Sequence, residues 1–262
     1  MRDVVPHGLR GPRHPGHSIL TDDLGALALP VGDDGILLGS DTGGHPRILG
    51  LHRPTPYEVL LIGGLWTAQA LALRTAGTGA RVSVETGRAQ VWTQLAQAAG
   101  GGTGTGQGAG HGAGQGAGHG AGPGAGPASG PDCITLYEVG RVPPSGATPG
   151  SPVLVVRDCG MRPPRGRIVS SPWQSVLTLL PYLSPVAPRL IRDSALVGVQ
   201  RVSPDEAQQI GRLLGLTPEE VAALPGLGDG VTLWCAGRER HWVTTMPTPV
   251  EGTLLGPARR MD

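Results

Sequence analysis

The sequence predicts an α/β protein: a mixed sheet with a Rossmann-like strand–helix–strand–helix core, flanked by helices and preceded by an N-terminal β-meander. Three observations predict this class. Residues 57–99 alternate strand and helix patterns, the order that generates parallel pairing. Upstream, short apolar runs are separated by Asp- and Gly-rich clusters, as in a meander. Downstream, two quartets of Ser/Thr, Pro, acid and Glu have the form of helix starts.

Taken in order, residues 1–17 are rich in Pro, Gly, His and Arg and read as a disordered tail. Apolar runs at 24–31, 35–40 and 47–51 make the meander, divided by Asp33-Asp34-Gly35 and Asp41-Thr42-Gly43-Gly44. Pro54 and Pro56 then interrupt regular structure. Residues 57–62 are dense in Val, Leu and Ile and predict a buried strand. Gly63-Gly64 turns the chain, with Gly64 expected to reject a β-branched residue. Residues 65–75 have strong helix propensity, and Gly77 and Gly79 stop them. Residues 81–86 alternate like a strand, and 89–99 read as a second helix.

Residues 100–131 are a near-repeat of Gly and Ala whose side chains cannot offset the entropy of ordering them. They read as a flexible loop inserted in a single domain spanning 18–262. Strand patterns follow at 133–139 and 152–157, then an irregular Arg- and Pro-rich stretch and a short edge strand at 168–171. Residues 172–183 begin with Pro and carry helical spacing, which predicts a helix. Residues 196–201 are strand-like. Ser203-Pro204-Asp205-Glu206 opens a helix ending at Gly215, and Thr217-Pro218-Glu219-Glu220 opens a shorter one reaching about Leu224. A hairpin at 231–245 and a last turn at 248–255 complete the chain.

The residues hold little that points to catalysis. A strand, two glycines and a helix N-terminus are where a dinucleotide-binding sheet would hold phosphate. The residues here are Gly63-Gly64-Leu65-Trp66, which match neither GxGxxG nor GxxxxGK[ST], and Trp66 would crowd a pyrophosphate. Glu85 ends the next strand, where such enzymes place their ribose-binding acid. Gly63, Gly64 and Glu85 are therefore the candidates should the chain be an enzyme. There is no GxSxG elbow and no HExxH, so no catalytic residue is assigned. Arg157-Asp158 follows a strand and reads either as the sheet's carboxyl rim or as an exposed ion pair. His111 and His119 in the Gly-Ala stretch lack accompanying carboxylates, so no metal site is assigned. Arg162, Arg165 and Arg167 form a basic patch, and Trp173, at a helix start, is a possible interface anchor. These four are the partner-contact candidates.

Composition narrows the classes further. The net charge of +1 gives no pull toward nucleic acid or anionic lipid. All 21 basic residues are Arg, and Lys, Asn and Phe are absent, a bias that GC-rich codons produce. The three cysteines are widely spaced, with no CxxC pair, which fits buried thiols in a reducing compartment. There is no apolar signal segment at the N-terminus, and the apolar stretch 59–73 is shorter than a membrane span.

The run from Arg53 to Thr86 resembles the cytoplasmic domain of streptomycete EccE proteins of type VII secretion systems. Pro172-Trp173-Gln174, residues 197–207, 227–235 and 254–260 follow in the same order. The resemblance implies a non-catalytic structural member of a membrane complex, without cofactors, whose partners are the other membrane-complex proteins of that system. It carries no expectation of nucleic acid binding, and the family's membrane anchor is not evident in this sequence. The expected location is cytoplasmic, or peripheral at the inner face of the plasma membrane. The alternative reading is a Rossmann-like enzyme binding a nucleotide or nucleotide-sugar.

Overall fold

The structure is a computed structural model and describes residues 35–100, 133–161, 163 and 168–258. The predicted tail at 1–17, the first meander run at 24–31 and nearly all of the Gly-Ala loop lie outside the described residues, as do His111, His119, Arg162, Arg165 and Arg167.

Ten strands form one mixed sheet. They are β1 (Ile36–Asp41), β2 (Pro46–Leu49), β3 (Tyr57–Ile62), β4 (Arg81–Thr86), β5 (Ile134–Tyr137), β6 (Val153–Asp158), β7 (Gln174–Leu180), β8 (Leu196–Val199), β9 (Val231–Ala236) and β10 (Glu239–Thr244). Their order across the sheet is β2-β1-β10-β9-β8-β3-β7-β6-β4-β5. From β8 to β5 every neighbouring pair is parallel. From β8 through β9, β10 and β1 to β2 every pair is antiparallel.

Six helices cover the sheet: α1 (Leu65–Gly77), α2 (Gln90–Ala98), α3 (Ala187–Asp193), α4 (Pro204–Leu214), α5 (Pro218–Ala223) and α6 (Pro249–Leu255). Side-chain alternation along the strands sends Val59 and Leu61 of β3 into one core with Leu71 of α1 and Trp92 of α2. The neighbouring Leu60 and Ile62 enter a second core with Ile191 of α3 and Ile210 of α4. The result is three layers, with α1 and α2 on the first face and α3 and α4 on the second. Strands covered on both faces favour apolar residues at successive positions, as in residues 59–62 of β3 and 153–156 of β6.

Local signals set the helix ends. Ser203 and Thr217 each accept a hydrogen bond from the backbone N–H of Glu206 and Glu220, and both boxes close reciprocally. Gly215 ends α4 in the left-handed region at φ 63°. A third box, Thr248 with Glu251, makes the expected last turn a helix, α6.

Three expectations are corrected. Residues 172–183 do not form a helix: Gln174–Leu180 is strand β7, buried throughout and bonded to β3 on one side and β6 on the other. A short apolar run of this kind suits a buried helix and a buried strand equally, and pairing on both edges decides for the strand. Residues 168–171 form no strand. The strand–helix–strand core is present but not with adjacent strands, because β7 and β6 lie between β3 and β4. The apolar stretch at 59–73 divides into the end of β3 and the body of α1. No helix among the described residues is long and apolar enough to cross a membrane.

Candidate functional site

In an open parallel sheet the ligand-binding edge is the one at the strands' carboxyl ends. Two clusters of polar side chains occupy that edge here, one after β3 and β8 and the other after β4 and β6.

After β3, the Gly63-Gly64 corner leads into α1. Gln200, the first residue beyond β8, reaches across it. Its Oε1 accepts from the Gly64 N–H at 2.7 Å, and its Nε2 donates to Thr67 Oγ1 at 2.6 Å and Thr232 Oγ1 at 3.2 Å. Gln200 is 6% exposed. A Cβ on Gly63 would lie 2.3 Å from Gln200 Oε1, so the glycine is what admits the amide. Trp66 is buried beside it, its Nε1 donating to the Gly256 carbonyl. The space left between Trp66, Thr67, Gln200 and Val231 is about 10 Å³, roughly the room for one water, whereas small-molecule pockets measure about 300–1,000 Å³.

After β4 and β6, residue parity separates two networks. Glu85 and Arg157 point to the second face. Glu85 Oε2 accepts from Arg157 Nε at 2.7 Å, and Oε1 accepts from the Gly140 N–H at 2.7 Å. Asp158 points to the first face. It accepts from Arg88 Nε and Nη2 at 2.9 and 2.8 Å, from Trp92 Nε1 at 2.8 Å and from Thr86 Oγ1 at 3.2 Å. Of the two readings of Arg157-Asp158, the exposed ion pair is excluded, and the residues stand at the carboxyl end of β6. Both residues are buried, and consecutive strand positions face opposite ways, so each pairs elsewhere.

Asp158 stitches β6 to α2 with four donors and no exposure to solvent to speak of. Asp158→Asn replaces one acceptor oxygen by an NH₂ that faces those donors. The expected loss is about 2–3 kcal/mol, read from urea denaturation.

A cleft of about 160 Å³ opens on the second face over Glu85, Arg157, Ser145 and Gln174. Its polar lining is engaged internally: Gln174 Nε2 donates to the Val169 carbonyl, and its Oε1 accepts from Ser145 and Ser171. These bonds fasten two loops to the sheet. Cys159 at the same rim donates to the Glu85 carbonyl, and burial together with the Glu85 charge pushes its thiol up to about 12, too high for a thiolate nucleophile.

No protein-family model matches the chain. No curated protein matches it either. Among solved structures its fold is similar to VirB4 of Thermoanaerobacter pseudethanolicus, with a TM-score of 0.50 and 12% sequence identity, over 84% of this chain and 98% of that one. The fold is VirB4-like. This finding overturns the resemblance to EccE, and membership of a type VII secretion complex, with its partners, falls with it. The motifs that suggested EccE are β3 with α1 and β4, the turn into β7, β8 with the start of α4, β9, and residues 254–260, which begin at the end of α6. They are generic layer-packing segments of an α/β sheet, so their order reports architecture rather than family.

Within this VirB4-like fold the expected site residues do not converge. Gly63 and Gly64 sit at the end of β3 and Glu85 at the end of β4, three strand spacings away, or about 14 Å. Glu85 is committed to Arg157 and Gly140 rather than facing the corner. Trp173 does not start a helix. It is half-buried with φ 61°, in the turn ahead of β7. Its N–H donates to the Arg53 carbonyl and its carbonyl accepts from the Val153 N–H, so it ties together the entries of β3, β6 and β7. Arg162, Arg165 and Arg167 lie outside the described residues. Among the described residues there is no group of three His, Cys, Asp or Glu placed to hold a metal ion.

Sequence reasoning missed Gln200. Its one local signal is a polar residue closing the apolar strand 196–199. That it fills a corner opened 136 residues earlier is a property of strand order alone.

Proposed function

We propose that this chain is a non-catalytic α/β domain that works by binding partner proteins, on a VirB4-like scaffold whose strand-to-helix corner is filled by its own side chain. The observation that carries this reading is Gln200. Its amide takes the backbone N–H that a phosphate would use, and about 10 Å³ is left beside it. The polar groups of the cleft over Glu85 are likewise spent on holding loops, and the thiol at that rim is held neutral.

A thermal-shift panel of ATP, GTP, NAD and UDP-glucose, each at about 1 mM with magnesium, tests the reading. The expected result is no change in melting temperature with any of them. A nucleotide present at 100 times its Kd stabilises by about 2.7 kcal/mol. That is a rise of roughly 5–10 °C for a domain of this size. Such a rise, lost in Gly64→Val, would replace this proposal with the nucleotide-enzyme reading.

A further inference from the structure

We infer that the groove between the last turns of α3 and α4 is a docking site for an acidic peptide segment of a partner protein, which seats one apolar side chain on the groove floor. This deepens the partner-binding reading and rests on it.

The groove holds about 390 Å³, more than twice the cleft over Glu85. Its floor is apolar: Ile191, Val197 and Cys235 are 8%, 3% and 4% exposed. Burial pushes the Cys235 thiol up to about 11, so the floor carries no charge at neutral pH. Leu213, 40% exposed, stands at the edge.

Two arginines line the opening, Arg192 in the last turn of α3 and Arg212 in the last turn of α4. Both are exposed, and neither has a hydrogen-bond or ion-pair partner among the described residues. Nearby Arg240 behaves differently, donating to the carbonyls of Leu214, Gly237 and Glu239. Arg47, Arg74 and Arg88 are likewise paired with carboxylates. Two uncommitted guanidiniums above an uncharged floor complement a segment carrying carboxylates around an apolar anchor. Bases would find no aromatic ring lining this groove on which to stack, and the chain's net charge is only +1, so a peptide fits better than a nucleic acid.

Fluorescence anisotropy with a labelled decapeptide of alternating Glu and Leu tests the assignment. Its counterpart with Lys for Glu, and a labelled oligothymidylate, serve as comparisons. The expected result is saturable binding of the acidic peptide alone, weakened several-fold between about 50 and 300 mM NaCl. Arg192→Glu combined with Arg212→Glu should reduce affinity at least tenfold while the melting temperature falls only a few degrees, and Leu213→Ala should also weaken it. If the double variant does not fold, Arg212→Gln alone carries the test. No saturation up to about 1 mM, equal affinity for the charge-reversed variant, or tighter binding of the oligothymidylate would each overturn the inference. None of these outcomes alters the nucleotide panel, so the two readings fail separately.

Discussion

Replacing Arg74 by alanine is expected to lower stability by about 3–5 kcal/mol, and the melting temperature by roughly 10 °C or more. Arg74 lies in the last turn of α1 and is 12% exposed at its side chain. Its Nε and Nη2 form a fork onto Glu251 of α6 at 2.6 and 2.9 Å. Nη1 donates to the carbonyls of Leu37 and Leu38 on β1, and Nη2 also reaches the carbonyl of Met246 beyond β10. One guanidinium thus joins a first-face helix to the sheet's antiparallel end and to the last helix. The variant leaves the Glu251 carboxylate, 4% exposed, without its counter-ion, which costs more than the pair gains when intact. Arg74→Lys should recover only part of the loss, because an ammonium cannot present the fork.

The same pair sets a pH dependence. Burial opposes ionisation of Glu251, but the bonds from Arg74 and Thr248 outweigh it and hold the carboxyl below its ordinary value of 4.5. A carboxyl whose folded value is depressed adds stability above its unfolded value, and that stability is lost as pH falls through the folded one. The gap between wild type and Arg74→Ala should therefore narrow in acid, below the ordinary glutamate range. Urea titrations at neutral and acid pH read it directly, and a constant gap would detach Glu251 from the effect.

Gly63→Ala should be the second large effect, at about 2–3 kcal/mol, or roughly 5–10 °C in melting temperature. The added methyl would lie 2.3, 2.7 and 2.8 Å from Oε1, Cδ and Cγ of Gln200. A long side chain usually swings away from such a clash. Gln200 is buried and holds three hydrogen bonds, so moving it leaves the Gly64 N–H and two hydroxyls short of a partner. The decisive measurement is the double variant Gly63→Ala/Gln200→Ala, which should lose markedly less than the sum of its singles. Simple additivity would show that the clash lies elsewhere. At Gly64, φ of −81° and ψ of 154° are extended and open to any residue's backbone, so backbone conformation alone does not demand glycine there.

Elements carrying their own chemistry were legible from the chain. β3 and β4 fall where the apolar density and the alternation put them, at Tyr57–Ile62 and Arg81–Thr86. α4 and α5 start at their capping boxes because a Ser or Thr oxygen and a Glu carboxylate satisfy the first free N–H groups locally. α3 was not legible: it spans seven residues, has no side-chain cap and lacks two turns of apolar period. β7 was misread because its identity lies in its two neighbours, each far away in sequence. For the candidate site, the missing glycine fingerprint was visible, and so was the crowding by Trp66. The occupant of the corner was not.

By itself the sequence determined the layered α/β class, most strand and helix positions, and a corner without the glycine fingerprint. These depend on contacts within a few residues, which periodicity and capping express directly. The tertiary structure alone decided that β7 and β6 separate β3 from β4, that Gln200 closes the corner, that Asp158 pairs with Arg88 rather than Arg157, and that Arg192 and Arg212 line one groove. Each of these joins distant segments through strand order. No local pattern encodes that order, because it is chosen by how whole faces bury against one another.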